Sequence, residues 1–266
     1  MSDGAPGDRV RLGREDIVTA LCAALERCPG ALAFWEGGSM AFGRADTWSD
    51  LDLYVLAADE ALEDALATVE EGLAALSPIT VRRRLPEPTW HGHAQAFYLL
   101  ADAPEHLVVD LVVLRRSVPE RFLEQERHGV PLVHFDHTGE VAPLPLDRTD
   151  FAAGAKRRLE GLREEFALFQ GFVRAEVARA DPMAALAAYR NYTLRPLLEV
   201  VRMRHCPERY DYGMKYSRAD LPAGVVERLE WLHFVPSIEG IPERQAQAET
   251  WSAETVTALE RDGLGL

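Results

Sequence analysis

Hydrophobic and polar positions follow different patterns in the two parts of the chain. In the first part, short apolar runs of five to eight residues predict strands over 31–35, 51–56, 79–84, 95–100, 107–114 and 131–135. Apolar residues at helical spacing predict helices over 14–27, 60–76 and 119–127. Helices interleaved with strands in this way are typical of an α/β domain with a mixed sheet.

The pattern changes near Pro143-Leu144-Pro145, after which the strand periodicity ends. Apolar residues at helical spacing then predict helices over 150–179, 183–205, 222–234 and 242–261. We therefore expect an α/β domain over residues 1–146, followed by an all-α helical domain over residues 147–266.

Three aspartates occur where apolar strands are predicted. Asp50 and Asp52 are separated by one residue at the head of one run, and Asp110 interrupts the run over 107–114. Residues two apart on a strand share a face, so Asp50 and Asp52 project together. A charge in a buried strand is costly unless it is paired or bound to a metal. If the two strands are neighbours, the three carboxylates meet on one surface, which suits Mg²⁺.

A glycine-rich turn, Gly37-Gly38-Ser39, precedes the aspartates. Glycine lets the backbone approach a phosphate closely, and a helix that begins at this turn would present free N–H groups to an anion. Ser39 offers a hydroxyl, and the planar guanidinium of Arg44 suits phosphate oxygens. Ser49 is expected either to cap the loop before Asp50 or to contact a phosphate.

Taken together, these motifs resemble the signature of the DNA polymerase beta-like nucleotidyltransferase superfamily. The resemblance covers about residues 31–114 and is carried by Gly38-Ser39, Arg44, Trp48-Ser49-Asp50-Leu51-Asp52-Leu53 and Val109-Asp110-Leu111. The motifs are most similar to those of the antibiotic nucleotidyltransferases, which act on aminoglycosides and lincosamides.

The resemblance implies transfer of a nucleoside monophosphate from an NTP, with ATP as the expected nucleotide, to a hydroxyl of a small-molecule acceptor. It implies that Asp50 and Asp52 bind two Mg²⁺ ions, that Asp110 is the third ligand, and that Gly38 and Ser39 contact the triphosphate. It also implies that the helical domain binds substrate, with antibiotic resistance as one role. The alternatives are a catalytically silent nucleotide-binding regulatory or interaction protein, and a nucleotidyltransferase toxin that modifies proteins.

Composition narrows the classes of partner. The chain has 266 residues and a formal net charge of −14, which argues against nucleic acid as a partner. No apolar run approaches the length of a membrane span. The cysteines are Cys22, Cys28 and Cys206, an odd number without metal-site spacing, which favours reduced thiols in a cytoplasmic protein. We expect a monomer or a homodimer.

Several other residues admit both a functional and a structural interpretation. Lys215 is either a triphosphate contact, as a helical-domain lysine is in related enzymes, or a solvated surface residue. Tyr189, Tyr192 and Arg195 either line an acceptor pocket or, in the case of the tyrosines, are half-buried packing residues with a solvated hydroxyl. Two histidine-rich segments, 91–93 and 134–137, lack the three or four ligands of a zinc site. The general base is left open between Asp110 and a helical-domain carboxylate such as Glu164 or Glu165.

Overall fold

The chain divides into two compact units, Met1–Pro145 and Leu146–Leu266. The computed structural model describes residues 12–265 of them. Each unit has its own hydrophobic core, and the first unit carries the predicted acidic and glycine-rich motifs.

The first unit is built on a six-stranded mixed sheet, which confirms the predicted α/β architecture. Its strands are β1 (Ala31–Glu36), β2 (Leu51–Ala57), β3 (Ile79–Arg84), β4 (Ala94–Leu100), β5 (Val109–Arg115) and β6 (Leu132–Asp136). The strand order is β3-β4-β5-β2-β1-β6, so β5 and β2 are the two central strands. These two strands run parallel to each other, whereas the other described pairs are antiparallel.

The helices of the first unit are α1 (Arg14–Leu25), α2 (Gly38–Ala41), α3 (Leu62–Leu76) and α4 (Gln125–His128). Helices α1 and α3 bury their apolar stripes on one face of the sheet, where Leu53 and Leu111 belong to the same core. The opposite face carries a smaller apolar cluster that includes Trp35 and Tyr54. Side chains alternate between the faces along each strand, so Asp52 and Asp110 project on this second side.

The predicted helix over 119–127 is wrong: only Gln125–His128 is helical there. Phe122 has a φ of 55°, in the left-handed region that an L-residue cannot adopt inside a right-handed helix. Its N–H donates to the Glu120 carboxylate at 2.7 Å, so a side chain supplies the bond that a helix turn would otherwise make. The segment before α4 is therefore irregular.

The second unit is built from helices, as predicted: α5 (Arg148–Ala178), α6 (Pro182–Ala188), α7 (Arg195–His205), α8 (Ser217–Asp220), α9 (Ala223–His233) and α10 (Ile241–Asp262). The single helix predicted over 183–205 is interrupted by a π-helical turn at Tyr189–Leu194. In a π turn the backbone hydrogen bonds join residues five apart instead of four. The buried side-chain amide of Gln170 donates to the Tyr192 carbonyl within this turn at 2.7 Å. Thr193 and Gln245 donate in turn to the Gln170 side chain, so this buried network is satisfied.

Cys22, Cys28 and Cys206 are free thiols. Within residues 12–265, the search for a helix with the length and apolar character of a membrane span finds none.

Candidate active site

Asp52 and Asp110 lie side by side at the centre of the sheet. In the parallel register of β2 and β5, Asp52 is paired with Asp110, and Leu51 and Leu53 are paired with Val109 and Leu111. Paired residues of neighbouring strands lie about 5 Å apart and point to the same face. The leucines and valine are fully buried, whereas both aspartates are half-buried. The strands thus present two carboxylates together at a partly solvated surface.

Asp50 lies one residue before β2 and is exposed. The chain at this point already follows the strand, because the N–H of Leu51 donates to the Val108 carbonyl at 2.8 Å. The side chains of Asp50 and Asp52 are therefore expected on the same side. The three aspartates are not among the described groups whose ligand atoms all lie within 4.8 Å of one another. Full convergence of the three on a cation stays a prediction.

The glycine turn lies directly against Asp52. Gly38 has a φ of 52°, and a Cβ built on it would lie 1.5 Å from Oδ2 of Asp52. The N–H of Gly37 donates to the Asp52 carbonyl at 2.9 Å. Only glycine permits both the left-handed backbone and this close approach. The structure therefore places the predicted phosphate turn directly against the acidic strand.

Ser39, the next residue of the turn, has a buried hydroxyl. The side chain is 8% exposed, and its oxygen has no hydrogen-bond partner among the described residues. Leaving a buried hydroxyl unpaired costs roughly 1–3 kcal/mol. The hydroxyl of Ser39 is therefore a buried hydrogen-bonding group at the predicted phosphate turn that the described residues leave unsatisfied.

Arg44 and Ser49 lie on the loop between the turn and β2. The backbone N–H of Arg44 donates to the Ser39 carbonyl at 2.8 Å, and its guanidinium carbon lies 5.1 Å from the centre of the Phe42 ring. The Ser49 hydroxyl accepts from the Asp46 N–H at 2.9 Å and donates to its carboxylate at 3.0 Å. Ser49 therefore caps the loop, which was one of its two predicted roles.

A buried ion pair that sequence analysis missed holds the two ends of this loop. Glu36 at the end of β1 is 3% exposed, and its carboxylate accepts from Arg14 at 2.7 Å and from His134 at 3.0 Å. Burial raises the pKa of Glu36, but the hydrogen bonds from His134 and Arg14 outweigh it and leave the pKa below its usual value. Arg14 also donates to the Asp50 carbonyl. One guanidinium thus ties α1 to both the glycine turn and the acidic strand.

Gln95 on β4 was also missed. Its amide nitrogen donates to Oδ1 of Asp110 at 2.7 Å. The sequence contained a signal for it: the alternation of buried Ala94, Ala96 and Tyr98 leaves Gln95 on the other face of β4. A polar residue on the face that carries an aspartate of the neighbouring strand was a candidate partner for that acid.

Lys215 lies in the second unit, and its side chain is exposed. The buried guanidinium of Arg202 donates to the Lys215 carbonyl at 3.2 Å and to the Asp220 carboxylate at 2.8 Å. The ammonium of Lys215 lies 5.3 Å from the centre of the Tyr216 ring. Its backbone is therefore fixed within its own unit, and the predicted triphosphate contact stays a prediction.

Histidines of both histidine-rich segments make polar contacts within the protein. His134 is bonded to Glu36, and His93 interacts through Nε2 with the Glu120 carbonyl at 2.9 Å. In the part of the chain that the structure describes, the three-residue cluster with potential metal-ligand spacing is formed instead by Glu120, Glu124 and His128.

Two features of the site fit magnesium and a triphosphate. Carboxylate oxygens are the hard donors that Mg²⁺ prefers, and Asp52 and Asp110 bring two such groups to adjacent strand positions. The missing Cβ of Gly38 leaves room for the Asp52 carboxylate against the turn. The residues present therefore fit a divalent cation that is shared with substrate phosphates.

No protein-family model and no curated protein matches this chain. Among solved structures, it is similar to an aminoglycoside 6-adenyltransferase from Bacillus subtilis, with 13% identity and a TM-score of 0.36 over 94% of this chain and 91% of that chain. A candidate nucleotidyltransferase from H. pylori aligns with 11% identity and a TM-score of 0.27 over 93% of this chain and 99% of its own. JHP933 from Helicobacter pylori aligns with 13% identity and a TM-score of 0.26 over 93% and 94%.

Proposed function

We propose that this protein is a Mg²⁺-dependent nucleotidyltransferase that transfers a nucleoside monophosphate from an NTP to a hydroxyl of a small-molecule acceptor. The observation that carries the proposal is the pairing of Asp52 with Asp110, with the backbone of Gly38 packed against the Asp52 carboxylate. Two adjacent carboxylates beside a glycine turn suit a metal-bound triphosphate.

In the proposed reaction, the acceptor oxygen forms a bond to the α-phosphorus, and the bond from that phosphorus to the bridging oxygen breaks. Pyrophosphate leaves, and the hydroxyl proton passes to a base. Asp50, Asp52 and Asp110 would hold Mg²⁺, which when bound neutralises charge on the phosphates and on the leaving group. The turn at Gly38 and Ser39 and the fork of Arg44 would position the triphosphate, so catalysis comes mainly from orientation and electrostatics.

The side chain of Lys215 is exposed on the helical unit, and its triphosphate contact stays a prediction. Ser49 supports the loop before Asp50 through its bonds to Asp46. Ser49 is therefore assigned a positioning role in the loop.

We assign acceptor binding to the helical unit. A cavity of about 550 Å³ there is lined by Tyr192 and Arg195, beside Phe169 and the ion pair of Arg158 and Glu199. Tyr192 lies against Phe169, with ring centres 5.2 Å apart, so aromatic surface and charged groups meet in one cavity. Tyr189, by contrast, is fully buried and donates to the Leu232 carbonyl at 3.1 Å, which makes it a packing residue.

The experiment is a transfer assay with α-labelled ATP, GTP and CTP, Mg²⁺ and a panel of hydroxylated acceptors that includes aminoglycosides and lincosamides. We expect label on one acceptor and release of pyrophosphate. Asp52→Asn and Asp110→Asn should abolish transfer, whereas Glu71→Gln, on the exposed side of α3, should not. Nucleotide binding without transfer to any acceptor would instead indicate a catalytically silent binding protein. Label on a protein would indicate the toxin alternative.

A further inference from the structure

A chain of hydrogen bonds across three side chains ends at Asp110. Gln95 donates from Nε2 to Oδ1 of Asp110 at 2.7 Å. The side-chain amide oxygen of Gln95, Oε1, lies 3.3 Å from Nε2 of His91. The other ring nitrogen of His91, Nδ1, accepts from the backbone N–H of His93 at 3.1 Å. The Thr89 hydroxyl also lies 3.2 Å from Nδ1 and donates to the His93 carbonyl, but a hydroxyl can rotate whereas the backbone N–H cannot. The chain thus begins at a fixed backbone group and finishes at the carboxylate.

The backbone end of this chain determines the direction of every bond in it. Because Nδ1 of His91 accepts from a backbone N–H, the proton of the neutral ring lies on Nε2. That proton can only be donated, so it selects the carbonyl oxygen of the Gln95 amide as its partner. The amide nitrogen must then face Asp110. A flipped amide would place its oxygen against the carboxylate and its NH₂ group against the N–H of His91.

The His91 ring is itself held in place by its surroundings. It is buried and stacks on His93, with ring centres 5.5 Å apart. The edges of Trp90 and Phe122 close on it at 5.0 and 5.7 Å. A ring packed on three sides is a rigid support for the amide.

Strand pairing alone does not orient a carboxylate. The register of β2 and β5 fixes the Cα position of Asp110, but the terminal torsion of an aspartate is broad and roughly two-fold. A hydrogen bond to one oxygen selects a rotation. Residues that orient a metal ligand in this way are commonly worth about 10–100-fold in metal affinity or activity.

We propose that Gln95, with His91 behind it, is a positioning residue that fixes the rotation of the Asp110 carboxylate for cation binding. This inference rests on the proposed function, because it assumes that Asp110 is a metal ligand. Neither residue belongs to the acidic and glycine-rich motifs, and neither needs to touch substrate.

The test is the affinity of the full-length protein for Mn²⁺ alone, measured from the free-ion signal in electron paramagnetic resonance. Gln95→Met keeps the length of the side chain and removes the amide, and His91→Leu removes the ring donor. We expect each to weaken Mn²⁺ binding by about 10–100-fold. His91→Gln retains an N–H donor near the position of Nε2 and should recover most of the affinity.

Tyr98→Phe is the matched control. Tyr98 lies on the opposite face of β4, is 1% exposed and donates to Glu70 at 3.1 Å, so the variant loses a comparable bond away from the site. It should leave Mn²⁺ affinity unchanged. Wild-type affinity in Gln95→Met, or an equal loss in Tyr98→Phe, would overturn the positioning role. If Gln95→Met does not fold, the contrast between His91→Leu and His91→Gln decides the question.

Two further variants separate this inference from the proposed function. If Asp52→Asn and Asp110→Asn lose Mn²⁺ binding while Gln95→Met retains it, only the positioning role fails. If the aspartate variants also bind Mn²⁺ as the wild type does, the metal site and the proposed function both fail.

Discussion

The backbone of Gly38 lies so close to the carboxylate of Asp52 that a methyl group on Gly38 would fall 1.5 Å from Oδ2. The glycine therefore has two functions. It adopts a left-handed conformation, and its lack of a side chain leaves space for the Asp52 carboxylate. A second glycine on the same loop allows these functions to be tested separately. Gly43 has a φ of 63°, but a Cβ there would meet nothing within 4 Å.

We predict that Gly38→Ala destabilises the protein more than Gly43→Ala does and abolishes activity. Alanine at either position bears the cost of a left-handed backbone, about 1–2 kcal/mol. At Gly38 it must also displace the Asp52 carboxylate. Chemical denaturation and a transfer assay would check both effects. Equal stability losses in the two variants would contradict the close contact.

We predict that Ser39→Ala raises the free energy of unfolding by about 1 kcal/mol, because it removes a buried hydroxyl that no described residue satisfies. The same change should weaken triphosphate binding. Ser217→Ala is the control, since Ser217 is equally buried at 8% exposure but donates to the Met214 carbonyl at 2.9 Å. That variant should lose stability. A loss of stability in Ser39→Ala would show that its hydroxyl has a partner.

Glu36 should contribute to acid unfolding. Its pKa is lowered in the folded state, so its stabilising contribution is present above the unfolded-state pKa and is lost as the pH falls through the folded-state pKa. Glu36→Gln should therefore reduce stability at pH 7 by about 3 kcal/mol, since it leaves Arg14 without its charged partner.

The same variant should flatten the dependence of stability on pH in the acid range, between the unfolded-state pKa of Glu36 and its lower folded-state pKa. Urea denaturation at a series of pH values would measure this. Parallel curves for wild type and Glu36→Gln across the acid range would show that the pKa of Glu36 is not lowered by folding.

In the helical unit, we predict that Asp220→Asn costs about 3–5 kcal/mol, because it leaves a buried guanidinium uncompensated. The side chains of Arg202 and Asp220 are both 0% exposed. Glu230→Gln breaks the exposed pair with Arg218 and should cost less than about 1 kcal/mol. Thermal unfolding of the two variants would compare the pairs. Similar shifts would mean that Arg202 finds other acceptors.

The residues of the candidate site could be recognised in the sequence where they lie close together along the chain. The glycine turn, the Asp-x-Asp pair and Asp110 each lie within one short segment, and the predicted strands over 51–56 and 107–114 match β2 and β5 to within two residues. Whether these two strands are neighbours depends on long-range contacts. Sequence analysis could therefore only assume that they are. In the structure β2 and β5 are parallel neighbours, and Asp52 is paired with Asp110.

The missed residues all act across the chain. Arg14 donates to the Glu36 carboxylate and the Asp50 carbonyl. In the sequence it is only a residue in the first turn of a helix, with no sign of these partners. Gln95 reaches Asp110 diagonally, because the Cα partner of Gln95 on β5 is Val112. Helical periodicity likewise failed at 119–127, where the left-handed Phe122 overrides local preference. The partners of Arg14, and the strand order that brings Gln95 beside Asp110, follow only from the tertiary fold.

The two aspartates sit on the innermost strands of the sheet, with two neighbours protecting them on either side. Backbone opening generally begins at exposed edges and reaches the middle last. Warming should thus fray β3 and β6 while the spacing of the acids endures. We expect amide hydrogens of β2 and β5 to exchange with solvent only when the whole unit unfolds, so that the geometry of the candidate site is kept for as long as the sheet is folded.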